Sequence, residues 1–507
     1  MNDLPDARSA PLDMDPNEFR VLGHDLVDRI ADFLGGIGDG PVTTGETPLE
    51  IRELLDAEAV LPREGRDAGE LLAETSERLF RHSLHNGHPR FMGYITSSAA
   101  PIGMLGDLLA SAVNPNAGAW VLSPVASEIE AQTVRWIAEL LGYPTDCGGL
   151  LVSGGNVANT VGFSAARVAA YGPDIRVVGQ SDKRLAVYAS AETHTWVQKA
   201  ADLSGMGTDA VRWVPTGSDL RMDLSALQRR MDEDRAAGVE PMMVIGTGGS
   251  VSTGAVDDLQ EISRICKERE TWFHVDGAYG GFAALLPGAP EALHHLGLAD
   301  SVAVDPHKWL YAPLEAGCAL VRDPEAMRAA FSYHPPYYHF GVEATNYVDF
   351  GPQNSRGFRA LKVWLALQQV GRDGYEQMIG DDVRLAALLQ AEAERHPRLE
   401  TGPTGLSIAT FRYVPEDLAD RVGEEDVELY LNALNKEIQA RMELGGEAFL
   451  SNAVVEGRYL LRGCIVNFRT TDEDVRAIPV IVVRVGEAVH ADEGAGGGLP
   501  AELGHRP

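Results

Sequence analysis

The chain has 507 residues, 45% hydrophobic and 23% charged, proportions that exclude collagen-like, coiled-coil and disordered classes. Its 43 Lys and Arg stand against 74 Asp and Glu, a formal net charge of −31, so neither nucleic acid nor a membrane surface is expected as a partner. The four cysteines, Cys147, Cys266, Cys318 and Cys464, are too few and too scattered for a disulfide framework or a metal knuckle. A cytoplasmic location is the expectation.

The opening residues, MNDLPDARSAPLDMDP, lack the positive start and apolar stretch of a signal peptide. Asp15 followed by Pro16 reads as N-cap and N1 of a helix, in which Phe19, Leu22, Leu26, Ile30 and Phe33 recur at helical spacing until Gly35-Gly36. The single apolar face of this helix must dock either on the later domain or on a second subunit, and with the second reading preferred residues 1–100 are assigned to an N-terminal helical segment used in dimer packing. His82, His85 and His88 share a spacing of three, but no carboxylate or cysteine completes a ligand set and no metal is expected. The uncharged run Leu108 to Ser127 has spanning length, yet Asn114-Pro115-Asn116, Gly118 and Ser123-Pro124 break it, and it reads as protein interior.

From Gly149 to Asp323 short apolar runs alternate with helical stretches: GLLVS, RVVG, RLAVYAS, AVRWVP, MMVIG, WFHVD, SVAVD and CALVRD. This alternation predicts an α/β domain, residues 101–379, whose mainly parallel sheet is covered on both faces. Residues 380–488 carry SIATFRYV, ELYLNALNKEIQARM, YLLRGCIVNF and IPVIVVRVGEAV, read as a small C-terminal α+β domain. The Gly-rich stretch 489–507 is expected to be a disordered tail.

Polar residues stand at the ends of four predicted strands, where open α/β sheets place their ligands. Ser153-Gly154-Gly155-Asn156 leads into a helix and could cup an anion on free backbone N–H groups, or be an ordinary turn. Asp276 ends the strand WFHVD and could hold a proton on a heteroaromatic nitrogen, or cap a turn. Lys308, in Asp305-Pro306-His307-Lys308-Trp309, lies between an apolar strand and a tryptophan, a setting that eases deprotonation of a Schiff-base lysine, or is a solvated surface lysine, the commoner case for a lysine taken singly. His194 follows RLAVYAS and could stack on a planar ligand, or be a hydrogen-bonded imidazole. An anion cup, an acid for a ring nitrogen, a stacking ring and a carbonyl-capturing amine are together what pyridoxal 5'-phosphate requires.

Here the sequence resembles the group II pyridoxal-phosphate decarboxylases, the aromatic L-amino-acid and glutamate decarboxylase family, over roughly Phe19 to Val482. HPRFMGY, AWVLSPVASEIE, VSGGN, AETHTW, TGAVDD, HVDGAYGG, DPHKWL, SRGFRALKVW and LLRGCIV carry the resemblance, in the family's order. It implies a fold-type I homodimer with a seven-stranded large-domain sheet. It also implies that Lys308 forms the Schiff base with the cofactor, Asp276 pairs with the ring nitrogen, and His194 stacks on the ring. Gly155, Asn156 and His307 would contact the phosphate and Ala278 would also line the cofactor, while Tyr94 and Arg462 would face the substrate, Arg462 near its carboxylate unless it sits in a structural ion pair. In the segment Phe331 to Tyr347, read as a lid, Tyr337 matches the family's proton donor to Cα, with Tyr338 as the neighbouring alternative.

Three places depart from the aromatic branch: the stretch Asn114 to Gly118 in place of bulky apolar residues, which is expected to make the substrate pocket more polar or differently shaped, Val251 in place of a threonine, and Asp305 in place of an asparagine. The implied reaction takes an L-amino acid, aromatic or otherwise, to its amine and CO₂ through a quinonoid intermediate. The alternatives are an aldehyde synthase or another fold-type I lyase using the same cofactor, and a dimeric scaffold without catalysis.

Overall fold

A computed structural model describes residues 10–180, 183–333 and 344–496. The first helix runs Pro16–Gly36, as the capping pattern predicts, with Asp15 accepting from the Asn17 and Glu18 amides. None of its residues is buried, and Phe19 is 63% exposed. Near its end Phe33 stacks on Phe80 of the helix Ala68–His82, with ring centroids 4.5 Å apart.

Two sheets organise the rest. Strands β1 (Phe91–Met92), β9 (Leu399–Thr401), β10 (Ile408–Tyr413), β11 (Phe449–Val455) and β12 (Arg458–Cys464) form the smaller, in the order β1-β11-β12-β10-β9. β1 pairs parallel with β11, Phe91 opposite Phe449, so the N-terminal segment ends as an edge of the small C-terminal sheet. The larger sheet holds β2 (Gly148–Val152), β3 (Arg184–Ser190), β4 (Val211–Val214), β5 (Val239–Thr247), β6 (Trp272–Asp276), β7 (Ser301–Val304) and β8 (Gly317–Val321). Their order is β2-β8-β7-β6-β5-β3-β4, and only β8 runs antiparallel to its neighbours. This is the mainly parallel seven-stranded sheet expected of fold type I. Its central strands are mostly apolar because helices cover both faces, and Val244, Val275, Val302 and Leu320 are buried in the main core. The carboxyl ends of β2, β3, β5, β6 and β7 share one edge, which sets where a ligand can sit.

Three expectations are corrected. Arg176-Val177-Val178-Gly179 is no strand but the short helix Ile175–Val178: Pro173 and Asp174 open a turn that accepts the Arg176 and Val177 amides, and Val177 is 85% exposed. Of the expected disordered tail 489–507, the described part, to Gly496, is helical, and residues 497–507 lie outside the described residues. The helix Asp472–Gly496 continues through the described part, since Val489 is fully buried and the His490 ring meets the Tyr430 hydroxyl at 2.6 Å. The expected domain division after residue 379 falls inside the helix Ala360–Arg395, kinked at Gly371 (φ 68°), which packs against both the helix Pro101–Val113 and β10. Among the described residues no helix is long and apolar enough to cross a membrane.

Candidate active site

At the carboxyl end of β2 the chain turns at Gly154 (φ 132°) and starts the helix Gly155–Tyr171 with no side-chain cap. The first amides of this helix therefore have no intrahelical acceptor. A Cβ on Gly155 would lie 2.7 Å from Asp305 Oδ2 and 3.1 Å from the Ala278 Cβ, and one on Gly154 would lie 3.3 Å from His307 Cε1. Glycine is thus required where the ends of two other strands, β6 and β7, converge, and Ala278, Asp305 and His307 gather around Gly154 and Gly155 of the predicted cup. The Asn156 side chain is exposed at its rim.

Asp276 ends β6, opposite Thr247 of β5. Its Oδ2 accepts the Trp196 indole N–H at 2.8 Å and its Oδ1 accepts the Ala278 amide at 3.1 Å. The Trp196 amide in turn donates to His194 Nδ1 at 3.3 Å, so one tryptophan joins the predicted ring acid to the predicted stacking imidazole. His194 itself is exposed. Behind them Asp257 accepts the Thr247 and Met222 amides at 2.8 and 2.7 Å, and burial pushes its carboxyl up to about 6.

Lys308 sits in the short helix Pro306–Trp309 after β7, its Nζ 3.1 Å from Asp305 Oδ2. Two contacts hold this turn from outside. Ser97, three residues past Tyr94, donates to the His307 carbonyl at 2.7 Å. Asp382 accepts the Trp309 indole N–H at 2.9 Å and the Tyr311 hydroxyl at 2.7 Å, its own carboxyl pushed up to about 7 by burial. Tyr279 stacks on Trp309 at 4.9 Å. Burial lowers the basicity of His307, whose Nδ1 donates to the Ala316 carbonyl at 2.7 Å.

Arg462 of β12 is only 4% exposed. It donates to Ser451 Oγ at 3.0 and 2.6 Å and to the Val251 carbonyl at 2.5 Å, and among the described residues no carboxylate pairs with it. The structural ion pair left open for it is therefore not what holds it. Tyr94 (φ 49°) donates its amide to the same Ser451 Oγ at 3.1 Å, which brings both predicted substrate residues to one serine. Tyr337 and Tyr338 lie outside the described residues. His82, His85 and His88 do not converge: His82 meets Glu46 at 2.5 Å, His85 packs on Phe33, and His88 meets the Gly40 carbonyl at 3.1 Å.

Several supporting residues escaped sequence reasoning. Arg356 and Glu130 form a buried pair, Nη2 to Oε1 at 2.5 Å, that also brackets Leu151 of β2: Arg356 donates to its carbonyl at 2.6 Å and Glu130 accepts its amide at 2.8 Å. The pair thus fixes the strand that enters the cup. Both residues lie in stretches that carry the family resemblance, SRGFRALKVW and AWVLSPVASEIE, but their partnership spans 226 residues. Asn116, expected to make the substrate pocket polar, spends its Oδ1 on the Gly118 and Arg356 amides at 3.0 and 3.1 Å.

A glycine-lined helix start, a lysine after one strand and a held carboxylate after another fit pyridoxal phosphate. Residues 48–412 match the pyridoxal-dependent decarboxylase conserved domain. The chain belongs to this family. It is 32% identical over 487 residues to the aromatic-L-amino-acid decarboxylase of Bacillus atrophaeus, covering 95% of this chain and 98% of that one. It is 29% identical over 473 residues to a phenylacetaldehyde synthase of a Rosa hybrid cultivar, covering 91% and 92%. The crystal structure of Oryza sativa TDC with PLP and tryptamine superposes with a TM-score of 0.86 at 28% identity, over 95% of this chain and 99% of that one. The protein is a pyridoxal-phosphate-dependent amino-acid decarboxylase, a carboxy-lyase. When bound, the cofactor supplies an aldehyde that captures amines and a ring that withdraws electrons from the carbon losing CO₂.

Proposed function

We propose that this decarboxylase acts on an aromatic L-amino acid, releasing the amine, as a cytoplasmic homodimer. The observation that carries a carboxylate-bearing substrate is Arg462, a buried guanidinium with no acidic partner among the described residues, beside Tyr94 at the small sheet. Charge-assisted hydrogen bonding to a carboxylate suits it. The aromatic assignment draws on the relatives' names.

In this reading Lys308 binds the cofactor's aldehyde carbon, Asp276 keeps a proton on the ring nitrogen and His194 covers the ring face. Gly155, Asn156 and His307 hold the phosphate beside Ala278. Tyr337 is the proposed proton donor to Cα, assigned from sequence. Exposed apolar side chains on the first helix and on Pro101–Val113, among them Phe19, Leu105, Leu108 and Leu109, support the homodimer, since such surface favours burial. The four unpaired cysteines are compatible with a reducing compartment.

The phenylacetaldehyde synthase relative keeps a second outcome open, aldehyde in place of amine. Incubation of the holoenzyme with phenylalanine, tyrosine, tryptophan and DOPA, with CO₂, amine, aldehyde and peroxide measured together, tests both. Equimolar CO₂ and amine is the expected result. Turnover confined to acidic or short aliphatic amino acids would overturn the aromatic assignment, and aldehyde with peroxide would replace the amine.

A further inference from the structure

Ser451 of β11 and Arg462 of β12 stand directly opposite each other in the smaller sheet, at 3% and 4% exposure. The Ser451 hydroxyl oxygen accepts three N–H groups: Arg462 Nε at 3.0 Å, Arg462 Nη2 at 2.6 Å and the Tyr94 amide at 3.1 Å. Arg462 Nη1 donates to the Val251 carbonyl at 2.5 Å. Val251 follows Thr247, the last residue of β5, which is paired with Asp276 of β6. The guanidinium thus reaches from the smaller sheet to the edge of the larger one on which the candidate site is built.

A guanidinium carries five N–H donors, one on Nε and two on each Nη. Among the described residues Arg462 spends three of them, one from each nitrogen, so one N–H remains on Nη1 and one on Nη2. One donor on each of two neighbouring nitrogens is what a carboxylate engages in a bidentate pair. The acceptors already in use, a hydroxyl and a backbone carbonyl, are neutral. They fix the direction of the guanidinium without cancelling its charge, which a carboxylate at the position of Ser451 would do. Because the group is buried, the charge left over is screened less than it would be at the surface.

We propose that Ser451 is the positioning residue for Arg462: its hydroxyl aims the guanidinium and ties it to Tyr94, so that an uncancelled positive charge and a free two-point fork meet the α-carboxylate of the substrate. The serine acts through the arginine and does not itself touch the substrate. The Val251 acceptor is backbone and survives substitution there, so Ser451 is the side chain on which the aim depends. The inference rests on the reading of Arg462 as the partner of the substrate carboxylate and extends it to what orients that arginine.

The test uses the holoenzyme and three matched pairs, phenylalanine with phenethylamine, tyrosine with tyramine and tryptophan with tryptamine. The amino acid turned over fastest is compared with its amine, which shares the side chain and lacks the carboxylate. Ser451→Ala should lower kcat/KM by about tenfold, while the inhibition constant of the amine changes by less than about twofold. Ser451→Asp accepts the same N–H groups but neutralises the guanidinium, and should lose about 100-fold, again with the amine unaffected. A purely structural joint predicts the reverse order, because the stronger acceptor would hold Arg462 at least as well as serine does. Ser451→Asp as active as Ser451→Ala or more so, or equal losses for amine and amino acid, would overturn the inference. Arg462→Met separates the two claims: a wild-type kcat/KM in that variant overturns the reading of Arg462 and the inference with it. Loss of activity there, with both Ser451 variants at the wild-type level, overturns the inference alone.

Discussion

Trp196 and Asp276, 80 residues apart in sequence, meet through a 2.8 Å hydrogen bond from the indole N–H to Oδ2. With the Ala278 amide on Oδ1, this fixes the carboxylate plane at the end of β6. Because the Trp196 amide also donates to His194 Nδ1, Asp276 and His194, the residues proposed for the ring nitrogen and the ring face, share one support. A hydrogen bond to a charged group contributes about 1.5–3 kcal/mol, so Trp196→Phe, which keeps the packing, should lower kcat by about 10–100-fold. A positioning role also predicts a changed absorbance spectrum of the bound cofactor. An unaltered spectrum with kcat within about twofold of wild type would make Trp196 a packing residue only.

Asp276→Asn keeps the shape but replaces the anion by a neutral amide, which no longer favours a protonated ring nitrogen. The variant should retain cofactor and lose several orders of magnitude in rate. A loss smaller than about tenfold, roughly 1.4 kcal/mol, would mean that the carboxylate serves the turn alone. Lys308→Ala should abolish turnover and the covalent attachment of cofactor, read as loss of the borohydride-fixed mass adduct. Full activity in that variant would sink the assignment of Lys308.

The larger sheet was legible because strands buried on both faces are short apolar runs, and because Asp276 and Lys308 follow such runs directly. Val177 and Val178 show the limit: four residues with two β-branched side chains do not distinguish a strand from a turn of helix, and only the absence of a neighbouring strand decides. The C-terminal helix escaped notice because glycine content argued against order, while its anchor, the contact of His490 with Tyr430, joins residues 60 apart. Trp196, Asp257, Asp382 and the Glu130–Arg356 pair were illegible as partners for the same reason. Each is an ordinary residue in sequence and acquires its role only from what the sheet brings beside it.

The Glu130–Arg356 pair should be a point of failure for the fold. Removing one member of a buried pair leaves an uncompensated charge and costs about 3–5 kcal/mol. Arg356→Met should therefore lower the thermal unfolding temperature markedly. Glu130→Gln combined with Arg356→Met removes the stranded charge and should recover part of the loss, though the Leu151 carbonyl still lacks its donor. If the double variant is no more stable than Arg356→Met, the charge is not the source of the cost.

His274 makes stability acid-sensitive. Its ring is fully buried on β6 between Ser301 Oγ at 2.8 Å and Asn159 Oδ1 at 2.6 Å. Asn159 Oδ1 can only accept, so Nε2 carries the hydrogen. The Ser301 hydroxyl accepts from the Trp272 indole at 2.8 Å and gives its own hydrogen to Nδ1. This arrangement suits a neutral imidazole and has no acceptor ready for a second ring proton. Burial accordingly pushes the pKa down from 6.5 to about 4. The unfolded chain therefore binds a proton that the folded one refuses. The stabilisation is fully present above about pH 6.5 and is lost as pH falls toward 4, about 3 kcal/mol across that window. Denaturation midpoints of wild type and His274→Asn, measured between these limits, should diverge most at the neutral end and converge on acidification. Parallel curves would mean that His274 does not carry the acid sensitivity.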